Sequence, residues 1–276
     1  KFAQVTNAET FFAYSAASVG DLLSSPYTEA NCSVIPNSMS VRTRVAQTKE
    51  SDLDSAQTEI IDRYMSLVMN LFGESKIESN ITEGNVDYQF AMNIHYTNLN
   101  GEFVSFKMLF NKRLLGEEKE EDEVEQNYAI DGILLKGNEK YHVEGLHKIE
   151  TEEGESESEM FFKAFLNSEK TSYIEVQQAF EIENEAGENE IEQEFVYSLY
   201  KDGKVVEKNV IKYESEDDEL TLRMYVITER ETNNLLLNLE RIKNKNVLHV
   251  VGNIGDESIN YYIYFQKEGY QYSIGN

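Results

Sequence analysis

The sequence reads as mainly β (α+β): a long antiparallel β-meander forming a strongly curved sheet or incomplete barrel, with two N-terminal helices packed on its concave face. Three observations predict this. Period-two alternation of apolar and polar residues sets in after Gly84 and runs to the C-terminus. The alternating runs are separated by short connections rich in Gly, Asn, Asp and Glu, so consecutive strands pair. Ahead of them lie two stretches with apolar residues at three- and four-residue spacing. About a dozen strands in series exceed what a twisted sheet holds flat, so the sheet must curl, close or split.

The elements follow in order. Thr6 to Leu23 predicts a helix, with Phe11, Phe12, Ala16, Val19, Leu22 and Leu23 on one face and Ser24-Ser25-Pro26 as its stop. Ser38 to Gln47 alternates Met39, Val41, Thr43 and Val45 with polar residues and predicts a short strand. The second helix has Ser51, Asp52 or Asp54 as its cap and Gly73 at its stop. Its stripe of Ile60, Ile61, Tyr64, Met65, Val68, Leu71 and Phe72 is broad enough to be clasped on more than one side.

From there the pattern predicts a strand with Val86, Tyr88, Phe90, Met92, Ile94 and Tyr96 on one face, then a hairpin at Asn100-Gly101 and a return from Phe103 to Phe110. Further strands follow at 128–136, 140–149, 159–166, 172–183, 191–201, 204–213, 220–228, 235–243, 247–253, 259–267 and 270–274. Asp202-Gly203 marks a second hairpin turn. The expected division is residues 1–80 as a helical segment and 81–276 as the meander, integrated into one domain.

Composition bounds the function. The chain has 276 residues, with 51 acidic against 25 basic side chains and a net charge of -26, which repels nucleic acid phosphate. Seventeen Tyr and 14 Phe supply a core that a disordered chain would lack. No apolar run approaches the roughly 20 residues of a membrane-spanning helix. Cys32 is alone, so no disulfide framework exists. Acidity concentrates in Glu117–Glu125, Glu150–Glu159, Glu181–Glu194 and Glu214–Glu219, beside apolar runs, where loop tips and strand edges are expected. The chain opens on Lys1 rather than Met; a removed signal or lipoprotein leader explains this, as does trimming of a disordered end, and with a leader the expected location is extracellular or in the cell envelope.

Motifs for chemistry are sparse. His142 and His147 are five apart on a strand and point to opposite faces, whereas a zinc-protease helix needs i and i+4. His142 and Glu144 share a face and offer two ligands at most. Asp52-x-Asp54 begins like a calcium loop, but lacks the turn Gly and ends on Arg63. Neither a G-x-S-x-G elbow nor a phosphate-binding glycine loop is present. No metal, no cofactor and no catalytic residue is therefore assigned. The aromatic run Tyr261 to Tyr272 holds the candidate surface: Tyr262, Tyr264, Tyr270 and Tyr272 as a flat platform for a glycan or a peptide.

No motif names a family. The inferred architecture, helices laid into a curved meander, resembles the half-barrel lipoprotein carriers and sensors of bacterial envelopes, and that likeness transfers no functional residue. The expected function is a non-catalytic secreted or envelope module binding protein or glycan. One alternative is a carrier or sensor of an apolar, lipid-like ligand held between helices and sheet, lined by Met65, Met69 and Met92. An enzyme of uncharacterised type is the other.

Overall fold

The computed structural model describes residues 78–97, 103–120, 123–153, 155–185, 188–216, 219–228, 232–242, 245–266 and 270–275, with isolated positions 16, 19, 57, 58, 60–62 and 65. Fourteen strands follow one another: β1 (Glu78–Glu83), β2 (Phe90–Thr97), β3 (Phe103–Lys119), β4 (Val124–Lys136), β5 (Glu139–Glu152), β6 (Glu155–Phe165) and β7 (Tyr173–Glu185). The second half continues with β8 (Glu188–Lys201), β9 (Lys204–Glu216), β10 (Glu219–Thr228), β11 (Thr232–Ile242), β12 (Lys245–Ile254), β13 (Glu257–Phe265) and β14 (Tyr270–Ile274). All pair antiparallel in sequence order within a single sheet. The sheet is open, because β1 pairs only with β2 and β14 only with β13 among the described residues.

Tight turns set this register. Asp202-Gly203 lies between β8 and β9 with φ of 50° and 76°, the left-handed pair that a two-residue hairpin requires. Alternation then keeps one set of side chains on one face through every strand. That face runs from Met92 and Ile94 through Phe106, Leu134, Val143, Phe162, Val176, Phe195, Ile211, Met224, Leu235 and Val250 to Ile263 and Tyr272, in one hydrophobic cluster. We call it the apolar face and its opposite the open face.

Two expectations need correction. The two N-terminal helices are not established, since helical backbone among the described residues is limited to 16, 19, 57, 58, 60–62 and 65. Of these, Ala16, Val19, Ile61 and Met65 are buried in the apolar-face cluster. The rest of 6–23 and 51–73, the strand expected at 38–47 and the Asn100-Gly101 turn lie outside the described residues. The long strand from Val86 is the second correction. Gly84 to Gln89 form a turn, with Asn85 Oδ1 accepting from the amides of Asp87 at 2.9 Å and Tyr88 at 3.0 Å, and Val86 is fully exposed. The chain before it, 78–83, is a strand paired with β2.

The strands also run longer than apolar alternation marks them. The return from Phe103 continues to Lys119, and β5 to β9 extend into the glutamate-rich segments. Those segments therefore lie largely in strand ends. Among the described residues, no helix is long and apolar enough to cross a membrane.

Candidate functional site

Register fixes what the open face carries, row by row across the strands. One row reads Ala129, Leu146, Phe161, Gln177 and Val196 over β4 to β8. The next, two residues along each strand, reads Asn127, Lys148, Glu159, Ala179 and Glu194. All of these except Ala129 line a groove of about 590 Å³ that runs across the strands. Leu115 closes one end. It is the extra residue of a bulge between Leu114 and Gly116, a device that re-aims a side chain. Leu115 and Leu146 stay 51% and 52% exposed, a large apolar investment left facing solvent.

Beside the groove stands a ladder of carboxylates. Glu118, Glu125, Glu150, Glu157, Glu181 and Glu192 are direct cross-strand partners from β3 to β8. Strand spacing puts the rungs about 4.8 Å apart, and like charges directly opposite each other destabilise a sheet. At the β4–β5 end Lys148 relieves this, reaching Glu125 at 3.1 Å and Glu150 at 2.9 Å. Those two hydrogen bonds hold its ammonium well above the usual lysine range, and Asn127 and Lys148 lower Glu125.

The β6–β8 end has no such relief among the described ion pairs. Partial burial, a hydrogen bond with Glu183, and the charges of Glu155, Glu183 and Glu192 push Glu181 up to about 7. Burial and neighbouring glutamates raise Glu157 as well. Glu155, Glu181 and Glu183 bring one carboxylate oxygen each within 4.8 Å of one another. Three oxygens fall short of the six to eight that Ca²⁺ takes.

At the other strand end the open face carries a ring row: His142, Phe165, Tyr173 and Tyr200. Tyr173 and Tyr200 stack at 4.4 Å and 15°, and His142 lies on Phe165 at 6.0 Å and 24°. The Lys163 ammonium sits 4.7 Å from the Tyr173 ring and Lys170 4.9 Å from that of Phe165. These ring faces cover one another or meet cations, so the row offers solvent mostly edges. His142 and Glu144 do share this face, bonded at 3.0 Å, but Glu144 also takes Lys170. His147 lies on the apolar face, as the five-residue spacing predicts.

The four tyrosines chosen from the sequence do not share a surface. Tyr262 and Tyr264 are on the open face, paired with Ser273 and Gln271, whereas Tyr270 and Tyr272 pair with Phe265 and Ile263 on the apolar face. The β13–β14 register sets this parity, which the residue spacing alone does not reveal. The Tyr262 ring is stacked under His249 at 4.3 Å and 10°. Tyr272 donates to Asp62 Oδ1 at 2.8 Å, Tyr270 donates to the same oxygen, and Tyr261 donates to Gln57 Oε1. Their hydroxyls bind the helical residues to the sheet end rather than facing a ligand. Met65 and Met92 come together in the core cluster, both with no exposure, and Met69 lies outside the described residues.

The apolar face holds a polar island. His147 Nε2 and Ser158 Oγ are 2.9 Å apart and both residues are buried. Burial and the Lys112 charge lower the imidazole to about 3, so it is neutral. Nearby Gln178 is 4% exposed, and neither end of its amide has a hydrogen-bond partner.

Neither the groove nor the ladder was singled out from the sequence. The signal was present: Glu155, Glu157 and Glu159, then Glu181 and Glu183, then Glu192 and Glu194 alternate with period two, the mark of one strand face. Compared with known proteins, the chain matches no family model, no curated protein and no solved structure.

Proposed function

We propose that this chain is a non-catalytic binding module that recognises another protein through the groove on its open sheet face, as a secreted or cell-envelope component. One observation carries the reading. Leu115 and Leu146 remain half exposed along a groove of about 590 Å³, although the same strands bury a largely apolar face on their other side. That volume falls within the range of ligand sites, about 300–1,000 Å³. The glycan reading has less support, because sugar recognition uses open aromatic faces and Tyr173 and Tyr262 have theirs stacked. The carrier reading also has less support, since Met65 and Met92 are packed without exposure.

The finer shape belongs to the same proposal. We read the sheet as a strongly curved, incomplete barrel with the N-terminal segment laid against its apolar face. In support, that face is buried from Met92 near one edge to Tyr272 at the other, and hydroxyls of β13 and β14 bond helical residues.

A polarity-sensitive apolar dye tests the groove. Wild-type protein is expected to bind it saturably at one site, and Leu146→Lys to lose that binding with an unchanged melting temperature. Equal binding by the variant would overturn the reading.

A further inference from the structure

We propose that the groove seats a basic amphipathic helix of a partner protein, its apolar stripe on the Leu146–Phe161–Val196 row and its lysines or arginines on the glutamate ladder. The inference rests on the groove being a binding site, and adds the chemistry of its occupant.

Geometry selects a helix over an extended strand. The groove and the ladder both run across the strands, so an occupant lying along them meets one rung about every 4.8 Å. A helix presents same-face residues every three or four positions, at roughly 4.5–6 Å along its axis. An extended segment presents them every second residue, at roughly 6.6–6.8 Å, and falls out of step within two rungs. Among residues whose side chains are described, the ladder spans β3 to β8, five intervals or about 24 Å, the length of a helix of about 16 residues.

The cross-section agrees. From the apolar row to the ladder is four residues along each strand, Leu146 to Glu150 and Phe161 to Glu157, or about 13 Å. A helix of about 10–12 Å diameter fills that width, with basic side chains of one flank reaching the carboxylates.

Charge sets the sign of the partner. The groove row next to the ladder carries Glu159 and Glu194 as well, and the cations beside them, Lys148 and Lys212, are engaged with Glu150 and Glu194. Among the described residues Glu157, Glu181 and Glu192 form no ion pair, although Lys148 eases Glu157 from a distance; their like charges destabilise the free sheet, and a cationic flank relieves them on binding. An acidic or neutral helix gains nothing from these rungs.

The test uses the purified chain and three synthetic 16-residue peptides. One places leucine and lysine at helical spacing, one has the same composition in strict alternation, and one replaces lysine with glutamate. Fluorescence anisotropy is expected to show the helical basic peptide binding at least about tenfold tighter than either other, with affinity falling as salt rises. The triple variant Glu157→Gln, Glu181→Gln, Glu192→Gln should weaken that peptide about tenfold while leaving dye binding unchanged. Leu146→Lys should abolish both. Equal binding of the alternating peptide, or indifference to the triple variant, overturns this inference and leaves the groove intact. Loss of dye binding by wild-type protein removes the groove itself.

Discussion

At the scale of single residues, Glu181 makes the ladder measurable. Its folded-state pKa of about 7 lies above the ordinary 4.5, so the folded chain holds this proton more tightly than the unfolded chain. The destabilisation is then complete above pH 7 and vanishes as the pH falls through 7 toward 4.5. His147 works in the opposite direction. Its proton is bound less tightly when folded, so stability is lost as the pH falls below 6.5 toward 3. A single variant separates the two. Glu181→Gln should melt higher than wild type at pH 7.5 and identically at pH 4, by thermal denaturation across that range. A difference that is constant with pH would contradict the raised pKa. Gln178 gives an independent check. A buried amide without partners costs about 1–3 kcal/mol, so Gln178→Met should raise stability by roughly that amount. Loss of stability in urea denaturation would mean that the amide is satisfied.

At the scale of elements, the helical residues and the last two strands form one unit. Asp62 accepts from both Tyr270 and Tyr272, and removing its carboxylate takes an acceptor from each hydroxyl, leaving Tyr272 its longer 3.4 Å bond to the Thr58 carbonyl. Asp62→Ala is expected to cost about 1–3 kcal/mol, read by chemical denaturation. A neutral result would show that the helical residues dock elsewhere. Strand packing has its own test at Gly145, where an added Cβ would lie 2.4 Å from the Phe161 carbonyl oxygen and 2.7 Å from Phe162 Cβ. Backbone cannot yield there as a flexible side chain would, so Gly145→Ala should destabilise by about 1–3 kcal/mol.

This scale also shows what was legible in the sequence. Alternation in β4 to β14 was readable because apolar residues mark every second position, and Asp202-Gly203 announces its turn. Strand ends made of glutamate escaped, because apolar periodicity falls silent where both neighbours are polar. The tyrosine surface failed on parity, since whether Tyr262 and Tyr270 share a face depends on the β13–β14 register. The groove escaped for a related reason: Leu146, Phe161 and Val196 become neighbours only through the registers of three successive hairpins.

At the scale of the whole molecule, one open sheet divides its labour between two faces. The apolar face gathers a single cluster from β2 to β14, and the open face carries groove, ladder and ring rows in fixed order. Each of those rows depends on register, because a slip of one residue moves every side chain to the other face. Amide–amide nuclear Overhauser contacts in a deuterated sample test this directly. Contacts are expected for antiparallel pairing of every consecutive strand pair, with Glu157 opposite Glu181, Glu181 opposite Glu192, and none joining β1 to β14. A one-residue shift between β6 and β8, or contacts closing β1 onto β14, would contradict this pairing.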